Sequence, residues 1–247
     1  MSRTARLVLG LAALGGLAAV LVAAIGGLEP FGHYPGPYGD VIAKVVPRER
    51  HVPQLVAATT FDVRGLDTLG EELILFAAAC GCAALMRRRR RDRERDRPPG
   101  ASRPLPTQAA QAVGAAVVGP VVVLAAYIIA NGHITPGGGF VGGVIGAGTL
   151  LLAYAAGQQV RRLPADSIAM LEGTEALGAG AFVALAIGTL VATGATLRNA
   201  LPLGTSGMLL SGGTIPVGNV AVGVEVAGAL GLVLAEFLDQ TLLEERR

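Results

Sequence analysis

The chain predicts an all-α fold, a polytopic transmembrane bundle of about six helices, and three observations carry that expectation. Apolar residues make up 52% of the 247 positions and charged residues only 15%, with a mean hydropathy of +0.56. Several uncharged runs reach the roughly 18–20 residues that a hydrocarbon core of about 30 Å demands. The net charge of +2 conceals a local concentration, because most of the basic excess sits between Arg87 and Arg97.

Spans are expected near 7–28, 67–86, 110–130, 139–157, 174–193 and 217–238. The first follows Arg3 and Arg6 and resembles a signal peptide only at first glance. Leu7 to Leu28 outruns the 7–15 residues of a usual signal core and ends in Gly-Gly-Leu-Glu-Pro rather than a small-x-small site. A retained helix is expected. The second is uncharged only from Leu73 to Met86, which as a helix rises ~21 Å and cannot cross alone. It must recruit Glu72, Glu71 and Asp67 from upstream, while snorkelling of Arg87 extends the other end by about a turn. Cys80 and Cys82 fall in this run and read as ordinary buried thiols, with neither a disulfide nor a metal site indicated.

The linker RRRRRDRERDRPPGASRPLP is charged and then proline-rich, so a solvated, mobile connection is expected. It separates a two-span part (1–86) from a four-span part (109–247), with 87–108 between them. Arg3, Arg6, the linker, Arg161, Arg162, Arg246 and Arg247 fall on one side if there are six spans. Both termini are then cytoplasmic. Lys44, Arg48, Arg50, Arg64 and Arg198 remain on the opposite side.

Acids inside spans are the first candidates for chemistry. In DVRGLDTLGEE, helical spacing puts Arg64, Asp67 and Glu71 on one face. A carboxylate pair there can load a proton or coordinate sodium through hard oxygens. The alternative is an interfacial helix start, where acids meet the positive dipole end. Glu225 lies ~14 Å beyond Pro216 and so near the midplane. Its ionised form costs roughly 2.5–3.5 kcal/mol at the helix centre, so it must be paired, hydrated or protonated. A structural carboxyl bonded to a neighbouring helix is the other reading. Glu172, Glu175, Glu236 and Asp239 fall near span ends and read as solvated or capping acids.

Between two apolar runs lies NGHITPGGGFVGGVIGAG. Irregular backbone at that depth must be packed in protein or line a wet cavity. Thr135 is expected to cap the following helix and Pro136 to occupy its first turn, an arrangement repeated at Thr214 and Pro216. His133 is either a proton relay or a structural histidine bonded to local carbonyls. Gly137, Gly139 and Gly142 satisfy G-x-G-x-x-G, but a span-length run precedes them and Arg161-Arg162 stands where the ribose acid belongs. Spacing by four explains the glycines better. Gly138, Gly142 and Gly146, with Gly139 and Gly143, make smooth faces for close helix packing.

These stretches carry a family resemblance. NGHITPGGGFVGGVIGA and SGGTIPVGNVAVGVEVAG resemble the two signature stretches of the MnhB-type component of the Mrp-type (or Mnh) multisubunit sodium/proton antiporter, over about 110–240. FDVRGLDTLGEE resembles the end of the large A component, a segment that stands alone as a small subunit in related membrane hydrogenases. The resemblance implies a fusion of that two-span module to an MnhB-like domain, in an assembly akin to the membrane arm of respiratory complex I. It implies exchange of cytoplasmic sodium, or another monovalent cation, for external protons across the cell membrane. Expected partners are the other antiporter subunits, sodium ions and protons as cargo, and membrane lipids, with no nucleic acid, cofactor or catalysis. The acid of the D-T-L-G-E stretch falls on Glu71, while Glu72 stands where an apolar residue is expected. His133, Pro136, Gly137, Gly138, Gly139 and Glu225 carry over as site residues. The chain has no cysteine ligand set for iron–sulfur clusters, so in a hydrogenase or respiratory complex any redox centre would belong to partners. The cost of buried charge puts the ion path on Asp67, Glu71, Glu72 and Glu225, with His133 beside them.

Overall fold

The structure, a computed structural model, describes residues 3–28, 32, 37–86, 107–156 and 165–244. The arginine- and proline-rich stretch from 87 to 106 lies outside them, as do Arg161, Arg162, Arg246 and Arg247. The chain divides into two compact units, Met1–Val41 and Ile42–Arg247. The first holds α1 (Arg3–Gly26), a helix of 24 residues with Leu11, Leu14, Leu17 and Val22 exposed. α2 (Tyr38–Glu49) follows, with Val46 buried.

In the second unit, α3 (Leu55–Ala58) runs into one π turn (Thr59–Val63) and then α4 (Gly65–Met86). After these come α5 (Gln108–Ala130), α6 (Gly139–Ala155), α7 (Ala165–Thr193) and α8 (Ile215–Glu244). The described residues include no strand, and the architecture is a polytopic helical bundle. Among the described residues, α4, α5, α7 and α8 each contain a stretch long and apolar enough to cross a membrane. The apolar stretches Gly10–Gly26 and Gly139–Tyr154 mark the other two expected spans, in α1, a helix of 24 residues, and in α6, one of 17. α6 as a whole rises ~26 Å, less than a full hydrocarbon core. α7 also begins well before 174, the start expected from hydropathy, because two acids near its beginning disguise its first turns.

α8 is the central element, 61% buried across its span. Its neighbours are set by glycines. Gly139 lies against the Asn219 carbonyl and Gly223 nitrogen, and a Cβ on Gly143 would stand 2.7 Å from Val226 Cβ. α6 and α8 therefore run parallel. Gly142 turns the other way, 2.9 Å from the Ala125 carbonyl by the same measure, so α6 is held between α5 and α8. α7 runs antiparallel to α8, with Gly178 against the backbone of Glu225 and Gly228 against that of Glu175. Lipid tails are as apolar as leucine, so helices in a bilayer associate through such close packing rather than through hydrophobic burial.

The end where α4, α6 and α8 begin carries the apolar core. Val52, Phe61, Phe182, Ala186, Ile215, Val222 and Val226 cluster there, and Phe61 meets Phe182 edge-on with centroids 5.9 Å apart. On α4 the inward residues are Gly65, Thr68, Glu72, Ala79 and Ala83. That rotation corrects the reading of two buried thiols. Cys80 is exposed and Cys82 half-buried, the latter donating to Met86 Sδ at 3.3 Å.

Gly178→Val should unseat α7 from α8, because the added side chain meets backbone that cannot rotate away. The cost should reach at least the ~1–3 kcal/mol typical of overpacking. Thermal unfolding of the solubilised protein will show a lowered midpoint, whereas Gly180→Ala, which meets open space, should leave it unchanged.

Candidate functional site

At the connection of α5 and α6, Asn131 ends the first helix and its carbonyl accepts the N–H groups of Ile134 and Thr135. The Thr135 hydroxyl donates to the same carbonyl at 3.2 Å. Thr135 thus finishes α5 instead of capping α6, and Pro136 lies ahead of the helix, contrary to the sequence expectation. The reason is backbone geometry. Gly137 and Gly138 adopt φ of 144° and 125°, which re-aims the chain and delays the helix to Gly139. Gly138 stands at the N-cap with no side chain to offer. Asn219, reaching across from α8, accepts the Gly139 N–H at 2.9 Å. At α8, Thr214 does immediately precede the helix and Pro216 falls in its first turn.

His133 is completely buried, and neither ring nitrogen is hydrogen-bonded. Burial pushes its pKa below the ordinary histidine value, while the nearby backbone of Met208 and Leu209 pulls the other way more weakly. Burial therefore favours the neutral imidazole. Its carbonyl accepts from the Gln54 N–H at 3.4 Å, tying the turn to the start of α3.

One polar network here had no sequence forecast. The Asp62 side chain, 4% exposed, is ion-paired with Arg50 and accepts the Asn199 N–H at 3.2 Å. Asn199 in turn donates to the Gly212 carbonyl at 2.8 Å and accepts the Thr214 N–H at 3.0 Å. His51 Nδ1 lies 2.6 Å from the Gly204 carbonyl. The π turn, the 195–214 loop and the start of α8 are thereby joined. The partners of Asp62 are far apart in sequence, so no local spacing could have revealed them.

Along α4 the acids separate. Arg64 pairs with Asp67 on an exposed face, and Glu71 is exposed as well, while Glu72 is 5% exposed and points inward. Sequence left open which of the adjacent carboxylates is primary; one residue is about 100° of helix, and the rotation of α4 turns Glu72 inward and Glu71 outward. Glu225 is fully buried and Glu175 is 1% exposed. Glu225 interacts electrostatically with both Glu72 and Glu175, and Glu175 with Glu172. Both oxygens of Glu225, Oε2 of Glu72 and Oε1 of Glu175 are buried without a hydrogen-bond partner.

Glu175 and Glu236 were expected to be solvated or capping acids, and both are buried to 1% exposure. α7 starts earlier and α8 runs later than hydropathy implied, which places both acids inside their helices. A signal was available in the repeated Glu-x-x-Gly of Glu175-Ala-Leu-Gly178 and Glu225-Val-Ala-Gly228. Each glycine receives the backbone of the other helix's glutamate. The structure does not bring Asp67, Glu71 or His133 into this group. Among the described residues, no three His, Cys, Asp or Glu side chains gather closely enough to hold one metal ion. The chemistry of the group is that of acids in low dielectric, each of which must be protonated, hydrated or met by a mobile cation.

A family model described as a domain related to the MnhB subunit of the Na+/H+ antiporter matches residues 110–232. An uncharacterized protein of Methanocaldococcus jannaschii is 31% identical over 206 residues, covering 76% of this chain and 77% of that protein. A chain of the membrane-bound sulfane sulfur reductase, an archaeal respiratory membrane complex, superposes with a TM-score of 0.71 at 27% identity. That match covers 94% of this chain and 98% of the other. A chain of the Mrp complex from a Dietzia species superposes with a TM-score of 0.66 at 24% identity, over 96% of this chain and 26% of that one. This last likeness concerns the fold alone.

Asn219→Ala should cost about 1–2 kcal/mol, the usual worth of a helix cap, read as a lowered unfolding midpoint. For His133, the folded state prefers the neutral ring, so its contribution is complete above pH ~6.5 and is lost as pH falls below that value. Melting at pH 7.5 and 5.5 should therefore show a smaller acid-induced drop for His133→Leu than for the parent protein.

Proposed function

The chain belongs to the family of domains related to the MnhB subunit of the Na+/H+ antiporter, and from that premise we propose that it is a non-enzymatic membrane subunit of a multisubunit monovalent cation/proton antiporter. In this reading it sits in the cell membrane with both termini cytoplasmic, assembled with other antiporter subunits. Sodium ions and protons are the cargo, and lipid surrounds the outer helices. Residues 1–86 correspond to the end of the large A component. The observation that carries the reading is the buried group of Glu72, Glu175 and Glu225, drawn from three helices and retaining oxygens without partners. Acids are costly in such a place and suit a group that must exchange its proton or counter-ion in every cycle. Asp67 and Glu71, on the exposed face of α4, would meet the path where another subunit docks.

A second reading makes the chain a membrane-arm subunit of a respiratory complex. The match to nearly all of one chain of the sulfane sulfur reductase favours it. Proteins that co-purify separate the two, as do the neighbouring genes: antiporter subunits in one case, redox subunits in the other.

For the antiporter reading, vesicles carrying the whole complex should exchange sodium for protons. Glu225→Gln and Glu72→Gln should each reduce that exchange at least tenfold with assembly intact. Wild-type rates in both variants would leave the subunit a purely structural adaptor.

A further inference from the structure

The buried acids of this chain do not stop at the group just described. Measured along α8, Glu225 lies about 15 Å from the start of the helix and Glu236 about 32 Å. Glu175 on α7 sits at the level of Gly228, whose position receives its backbone, about 20 Å along the same axis. Glu172 is one turn further toward the Glu236 end. Glu72 and Glu175 both lie within electrostatic reach of Glu225, and Glu172 within reach of Glu175. The acids thus form a staircase along one helix, over the ~17 Å from Glu225 to Glu236. That is more than half of a hydrocarbon core about 30 Å thick.

We propose that Glu72, Glu225, Glu175, Glu172 and Glu236 form a relay within the membrane, from mid-depth to the far end of α8, that carries protons and not metal cations. The proposal rests on the antiporter reading and assigns this chain the proton half of the exchange. Two observations point to protons. A hard cation needs several oxygens gathered about one point, and the described acids are not so gathered. They are instead spaced in succession, and Glu72, Glu175 and Glu225 each present buried oxygen without a hydrogen-bond partner. A proton moves between such stations through intervening water. A protonated carboxyl donates to the water chain, the next carboxylate accepts, and the first is refilled from behind. One proton enters at Glu72 and one leaves at Glu236, and no other bond changes. Gly178 and Gly228 are what bring the central two stations onto adjacent turns of touching helices.

The test uses the assembled complex in vesicles, following internal pH with a dye, together with equilibrium binding of radioactive sodium to the solubilised complex. Glu175→Gln and Glu236→Gln should each slow proton movement at least tenfold and leave sodium binding unchanged. Glu175→Asp, which keeps the acid, should recover part of the rate. Glu172→Gln, at a half-buried position, serves where Glu175→Gln fails to assemble, and the same slowing is expected. Lost sodium binding in any of these variants would overturn the proton assignment. Unaltered proton movement in Glu172→Gln and Glu236→Gln would overturn the relay. An unmodified complex without sodium/proton exchange would strike the antiporter reading instead. The relay would then be read from decay of an imposed pH gradient in sodium-free vesicles, where slowing in the variants supports it and unchanged decay removes it.

Discussion

Everything in the second unit depends on the backbone contact between α7 and α8. Gly178 meets Glu225 and Gly228 meets Glu175, so each helix supplies the space that the other helix's acid-bearing turn occupies. In a bilayer this is an effective way to hold helices together, since burial of apolar surface contributes little between elements already surrounded by hydrocarbon. The same contact has an electrostatic consequence. It removes water and lipid from two carboxyl groups and leaves them with each other and with Glu72. The packing of the two helices and the burial of their acids are one interaction here.

The remaining helices build on that pair. α6 uses Gly139 and Gly143 to lie parallel to α8 and Gly142 to receive α5. Its start is fixed by Asn219, a side chain from the helix it packs against. A glycine-rich start has no side chain with which to cap itself, so capping and docking become mutually dependent: α6 cannot settle as a helix before it finds α8. At the same end of the bundle, Arg50, Asp62 and Asn199 hold the π turn and the 195–214 loop over the start of α8. Buried backbone polar groups in those irregular segments are satisfied by side chains that sequence separates widely.

Some of this was legible in the residues. Long uncharged runs marked the helices, and the depth of Glu225 beyond Pro216 marked it as a buried acid. Glycines spaced by four pointed to close helix packing. Pro216 sits in the first turn of α8 as expected, but the Thr214 hydroxyl ahead of it makes no capping bond, and Thr135 and Pro136 lie short of α6 because two glycines with positive φ intervene. Glu175 and Glu236 were misjudged for one reason: an acid near the end of an apolar run looks interfacial when the helix in fact continues past it.

By itself, the sequence determined that the chain is a bundle of membrane helices, roughly where they lie, and that a few acids fall within them. These are properties of composition and of position along one helix, which add up locally. Only the tertiary structure decided that Glu72 rather than Glu71 faces inward, that Glu175 stands beside Glu225, and that Asn219 caps α6. The physical reason is that rotation about a helix axis and the register of two helices are set by their partners. No local pattern records where the glycines of one helix will meet the backbone of another.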